Sequence, residues 1–217
     1  MVLASALLCV AWSSFPVIAS PIVSNTALDS TQVSSQESNF GDLVADAVRG
    51  AAPGDAQIAI VPANEIRSEV IPAGKIDTQQ IASALRAASD TSDTVVLVHL
   101  TGAQIKRALD HGLSRLPAPF AGFLQVSGLR VLYATGAHGP EVSAVLLSGS
   151  SDSLDDNKTY TVATTRLLAD GALGYFEVWN KGDIDRDTGI PLAKAVTEFA
   201  AAHQPLDYQT DGRIRAR

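Results

Sequence analysis

Gly41-Asp-Leu-Val-Ala-Asp-Ala-Val-Arg49 is the stretch from which the fold is read first. Leu43, Val44, Ala47 and Val48 recur at helical spacing and make one apolar stripe. Asn39 or Ser38 offers a side-chain oxygen for the N-cap, and Pro53-Gly54 ends the helix. Ala56-Gln-Ile-Ala-Ile-Val61 follows as a short, mostly buried strand.

Downstream, a second helix opens near Asp77, with Gln80 three residues on as in a capping box, and runs through Ile81, Ala84 and Leu85. Thr94-Val-Val-Leu-Val-His-Leu100 is the strongest strand pattern in the chain. Thr101 then caps a helix carrying Ile105, Leu109 and Leu113. Strands are expected over Phe123 to Tyr133, Val142 to Leu147 and Tyr160 to Thr165, and a last helix from about Ile190 to Ala202. Helices and strands alternate without a strict βαβ rhythm. The expectation is therefore an α+β domain, a mixed β-sheet packed with helices. No internal repeat and no linker divides residues 21–217.

The 217 residues suit one domain with a short leader. Hydrophobic residues make up 46% and charged residues 18%, enough apolar material for a full core. The net charge of −7 argues against nucleic acid as a partner, and any phosphate-bearing ligand would need locally placed Arg or Lys. Residues 1–20 read as a leader: Val2 to Val10 carry no charge, and Val17 and Ala19 fit a small-residue cleavage site before Ser20-Pro21. No Lys or Arg precedes that run, which is also too short for a stable membrane span. Export to the periplasm or medium is expected. The single cysteine, Cys9, lies inside the leader, so the mature chain has neither a disulfide framework nor a Cys-based zinc site.

Five segments in order carry a family resemblance. Glu37-Ser-Asn-Phe-Gly-Asp-Leu-Val-Ala-Asp-Ala47 resembles the opening helix of the 5′-nucleotidase C-terminal domain. Glu65-Ile-Arg67, Leu100-Thr-Gly-Ala-Gln-Ile-Lys106 and Phe123-Leu-Gln-Val-Ser-Gly-Leu129 are similar to its Ile-Arg loop, Leu-Thr-Gly helix start and Phe-Leu-Gln-Val-Ser-Gly strand. Tyr160-Thr-Val-Ala-Thr-Thr-Arg-Leu-Leu-Ala-Asp-Gly171 resembles the strand leading to the substrate aromatic. The resemblance runs from about Pro21 to Ile214.

In that family an N-terminal metallophosphatase domain holds two metals and the C-terminal domain binds the nucleoside between aromatic faces. The resemblance implies Arg67 and Tyr175 as substrate-binding residues, with Asn64 a third. It also implies a nucleotide or nucleoside-like ligand, no cofactor in this chain, and a separate metallophosphatase subunit as a possible partner. The chain departs from the pattern in three places. Pro62-Ala-Asn-Glu65 replaces a Gly-rich loop, Gly171-Ala-Leu-Gly174 replaces Gly-Gly-Asp-Gly, and Ser89-Asp-Thr-Ser-Asp93 stands where a Pro-Phe segment supplies the second ring. Gln36 stands near where some members place an arginine.

Plainer readings accompany each residue. Arg67 could pair with Glu65 or Glu69 on a solvated loop, Tyr175 and Phe176 could be core aromatics, and Asp46 could lie on the helix surface or in a buried polar network. None of the four histidines forms a His-x-x-x-His pair. Asp183-Ile-Asp-Arg-Asp187 starts like a calcium loop, but Lys194 occupies the closing position, so it reads as an acidic turn leading a helix. Asn157-Lys-Thr159 matches a glycosylation acceptor. Metallophosphatase motifs, a Gly-x-Ser-x-Gly elbow and a phosphate loop with Lys are all missing from the sequence. The expectation is a binding module that is not catalytic alone. The alternatives are a fragment or subunit of a bipartite hydrolase, and a ligand-free interaction domain.

Overall fold

The computed structural model describes residues 21–52, 54–86, 93–136 and 139–217. The leader with Cys9, the helix stop at Pro53, the Ser89 to Ser92 segment and His138 lie outside the described residues.

The first elements are strands β1 (Ile22–Ser24) and β2 (Leu28–Asp29), then helix α1 (Asn39–Gly50) and strand β3 (Ile58–Pro62). Strands β4 (Val70–Ile71) and β5 (Gly74–Ile76) precede helix α2 (Thr78–Ser83), strand β6 (Thr94–Thr101) and helix α3 (Gly102–Leu113). Strands β7 (Leu124–Ser127), β8 (Leu129–Gly136), β9 (Gly139–Leu147) and β10 (Thr159–Thr165) follow. Helix α4 (Arg166–Ala169), strand β11 (Ile184–Pro191), helix α5 (Leu192–Ala202) and strand β12 (Ile214–Ala216) complete the chain.

Caps fix the helix starts. Ser38 Oγ accepts the Gly41 N–H at the head of α1, and both Asp77–Gln80 and Thr101–Gln104 form reciprocal capping boxes. The central sheet runs β11-β6-β10-β3-β7, with β10 and β3 parallel and the other neighbours antiparallel. It is the mixed sheet expected. Val95 to Val98 of β6 are all at most 1% exposed, so both faces of that strand are covered. Helices α1 and α5 pack together, α1 also touching β3, β7 and β10, while α3 contacts β6, β7 and β9. Each fully buried Leu, Ile or Val adds about 1.5–3 kcal/mol to this core relative to exposure. A second sheet, β12-β8-β9, extends from it.

Two expectations change. The Phe123 to Tyr133 strand divides into β7 and β8, because Gly128 adopts φ +79 against the backbone of Gln57, where a Cβ would overlap the Gln57 carbonyl. The acidic run from Asp183 is no helix-leading turn. Its Ile184–Pro191 stretch pairs antiparallel with β6 as an edge strand, Thr188 donating its hydroxyl to the Val95 carbonyl. Its consecutive exposed Asp185, Arg186 and Asp187 suit an edge strand, which water reaches along its open side. Among the described residues no helix is long and apolar enough to cross a membrane.

The motif residues turn out to hold the scaffold. The Gln125 amide donates to the Val33 and Gln36 carbonyls, and its oxygen accepts the Ser38 N–H, which fixes the turn before α1. Arg213, far along the chain, makes a bidentate pair with Asp46 at 2.8 and 3.0 Å. Ser127 and Tyr208 donate their hydroxyls to the same carboxylate. Burial alone would raise the Asp46 carboxyl, but the Arg213 and Ser127 hydrogen bonds and the guanidinium charge hold it below the usual range. Asp46 therefore belongs to a half-buried polar network. Glu37 accepts the N–H groups of Asp211, Gly212 and Ile214, so α1 and its leading turn anchor the C-terminal segment from Tyr208 to Ile214.

Candidate functional site

Strands β3 and β10 are parallel neighbours, so the loop after Pro62 and the turn after Thr165 leave the same edge of the central sheet. Asn64 and Arg67 lie on the first, Tyr175 and Phe176 on the second. Both segments are tied to the Phe120–Phe123 turn. The Asn64 N–H donates to the Ala121 carbonyl at 2.8 Å, and the Tyr175 hydroxyl donates to the Gly122 carbonyl at 2.6 Å. The Phe120 N–H in turn reaches the Ser34 carbonyl. Four distant stretches of chain thus meet at one place.

Arg67 is exposed, and its backbone is held at both ends, its N–H donating to Ala84 and its carbonyl accepting the Ser30 hydroxyl. Asn64 is half-buried. Tyr175 turns inward. Its ring is 0% exposed, stacked on Trp179 at 5.0 Å and edge-on to His111 at 4.7 Å, so it fills the core and offers no face to a ligand in this conformation. Burial pushes its hydroxyl well above the ordinary tyrosine range. The ring that faces out is its neighbour Phe176, 68% exposed.

Local backbone geometry decides which ring points outward. Gly171 and Gly174 take positive φ, and Leu173 adopts φ 61, a conformation that costs a side-chain-bearing residue energy. His111 Nε2–H donates to the Leu173 carbonyl at 2.8 Å, and the Phe176 N–H donates to the Gly171 carbonyl. The strained turn is held from two sides. Adjacent aromatics gave the one sequence signal for Phe176, but nothing local said which ring turns inward.

Glu65 is the other surprise. Its side chain is 2% exposed and lies against the buried Asp93, just before β6. Burial, reinforced by the like charge of Asp93, pushes the Glu65 carboxyl up to about 8. The two buried acids lie against each other, forming a clamp between the Asn64–Arg67 loop and the start of β6. Asp93 also accepts the Leu167 N–H, which links the clamp to α4.

A cleft of about 910 Å³ opens beside Phe123. Its walls include Gln36, Phe123, Tyr133, Thr210 and Arg215, but not Asn64, Arg67 or Phe176. Its volume is in the range of small-molecule sites.

Among the described residues, the metal-competent group is Glu37, Asp42 and Asp211, all carboxylates and without histidine or asparagine.

A sequence profile described as "5′-nucleotidase, C-terminal domain" matches residues 17–180. The chain is 29% identical over 200 residues to the trifunctional nucleotide phosphoesterase protein YfkN of Bacillus subtilis, covering 88% of this chain and 13% of that protein. The solved 5′-nucleotidase precursor of Thermus thermophilus superimposes with a TM-score of 0.78 at 26% identity, over 92% of this chain and 40% of that one. The NAD nucleotidase of Haemophilus influenzae shares the fold, with a TM-score of 0.75 at 17% identity over 90% of this chain and 37% of its own. The chain thus spans well under half the length of these relatives.

Proposed function

Since the chain belongs to the 5′-nucleotidase C-terminal domain family, we propose that it binds a nucleoside or nucleotide and does not hydrolyse it alone. The observation that carries this reading is the meeting of the Asn64–Arg67 loop and the Gly171–Phe176 turn at one sheet edge, both fastened to residues 121 and 122. Arg67 supplies a permanent charge for a phosphate, which matters in a chain of net charge −7. Phe176 supplies a stacking face, Asn64 a polar group for base or sugar, and the strained turn fixes the ring's position.

Calorimetric titration of the full chain with adenosine and AMP tests this. AMP is expected to bind more tightly than adenosine, Arg67→Ala to remove that difference, and Phe176→Ala to weaken both by about 1–3 kcal/mol. Failure of either ligand to bind, or binding unchanged in both variants, would sink the reading. No turnover of AMP is expected with Mn²⁺ or Zn²⁺ added.

A second reading is favoured by the greater length of the relatives. A metallophosphatase unit, on a separate chain or the same one, would then supply the metal chemistry while this domain presents the substrate. Co-purification of such a unit with restored nucleotidase activity would support it. Export is the corresponding proposal for location, and the mass of the mature chain recovered from the extracytoplasmic fraction tests it.

A further inference from the structure

Away from the ligand edge, the junction of α1 with the C-terminal segment holds a cluster of acids that the scaffold does not fully satisfy. Glu37, Asp42 and Asp211 each offer a carboxylate oxygen, all within 4.8 Å of one another. Asp42 sits in the first turn of α1 and is 1% exposed, yet neither of its oxygens has a hydrogen-bond partner among the described residues. Arg213 Nε approaches one of them at 3.3 Å without hydrogen-bond alignment. Its two terminal nitrogens pair with Asp46, one of them also donating to the Val126 carbonyl, so a single Nε at 3.3 Å from Asp42 and 3.4 Å from Asp211 is left for the cluster. Three carboxylates, those of Asp42, Asp46 and Asp211, thus face one Arg213, with Glu37 beside Asp42. A buried carboxylate without donors costs several kcal/mol unless another positive group completes it.

We propose that Glu37, Asp42 and Asp211 form a binding site for a hard divalent cation, best suited to Ca²⁺. An all-oxygen carboxylate set with flexible spacing and one solvent-facing ligand matches calcium better than magnesium, which demands tight octahedral geometry. Asp42 contributes the buried oxygen, Glu37 is pre-aimed by its three backbone donors, and the exposed Asp211 closes the site on the solvent side. The ion's role is structural. It bridges α1 and its leading turn, through Asp42 and Glu37, to the Tyr208–Ile214 segment, through Asp211. This site is independent of the nucleotide reading, since none of its residues lies on the ligand loops.

The full chain, stripped with a chelator, is to be titrated with Ca²⁺ alone by calorimetry and by thermal shift. One saturable site and a saturable rise in Tm are expected, together with slower amide exchange at residues 211–216. Asp211→Asn changes an exposed side chain and leaves the core intact, and it is expected to weaken Ca²⁺ binding roughly tenfold or more. Asp42→Asn, isosteric in the core, is expected to do the same. Absence of saturable Ca²⁺ binding to the unmodified chain would overturn the site. A Tm rise of equal size in Asp211→Asn, or one reproduced by Mg²⁺ in that variant, would also overturn it by revealing charge screening instead.

Discussion

The hydroxyl of Tyr175 donates to the carbonyl of Gly122 at 2.6 Å, which fastens the Gly171–Phe176 turn to the segment that also holds Asn64. Tyr175→Phe removes the donor while keeping the ring and leaves a buried carbonyl unpaired. A loss of about 1–3 kcal/mol in unfolding free energy is expected by denaturant titration. Ligand affinity should fall less than in Phe176→Ala, because the Tyr175 ring itself touches no ligand. Equal losses of affinity in both variants would place Tyr175 in the site.

Gly174 adopts φ 92 and packs against the His111 ring, where a Cβ would collide with the imidazole. Gly174→Ala therefore carries both backbone strain and a clash, and should cost about 1–3 kcal/mol. Gly149 also has positive φ, at 81, but nothing surrounds its Cβ position. Gly149→Ala is expected to cost about 1 kcal/mol from the backbone alone. Comparing the two Tm values separates strain from collision.

Glu65 gives the fold a pH dependence of known sign. Its carboxyl is pushed up to about 8 in the folded chain from an ordinary 4.5, so the folded state holds a proton that the unfolded state releases first. The contribution is fully present below pH 4.5 and is lost as pH rises toward 8. Glu65→Gln keeps the shape without the charge and should flatten this part of the stability profile. Chemical denaturation of both proteins between pH 5 and 9, roughly the titration span of the group, checks it. Parallel profiles would exclude Glu65 as the source.

Arg213 joins the end of the chain to α1. Arg213→Ala would leave the half-buried Asp46 with its principal counter-charge gone, and a loss of about 1–3 kcal/mol is expected. Amide protection at Ile214 should fall with it, as measured by hydrogen exchange. Arg213→Lys cannot restore the two-pronged geometry and is expected to recover only part of the stability.

Much of the scaffold was legible because its signals are local. Ser38, Asp77 and Thr101 mark their helices through partners two or three residues away, and a stripe such as Leu43–Val44–Ala47–Val48 repeats within two turns. β11 was misread because an edge strand with exposed Asp and Arg residues carries little apolar periodicity, and only its pairing with β6 defines it. The candidate site was legible as two loops but not in its orientation. Whether Tyr175 or Phe176 points outward depends on His111, which lies 62 residues before the Leu173 carbonyl it holds, and on Gly122.

From the sequence alone came the α+β class, the helix caps, the family motifs and the loops on which a ligand would sit, because each is written in spacings of two to four residues. The tertiary structure alone decided the rest. It turned Glu65 inward onto Asp93, buried Tyr175 behind an exposed Phe176, and brought Asp211 to Glu37 across 174 residues. Which side chain is desolvated, and by what neighbour, depends on contacts between segments far apart in the chain, and no local pattern encodes those.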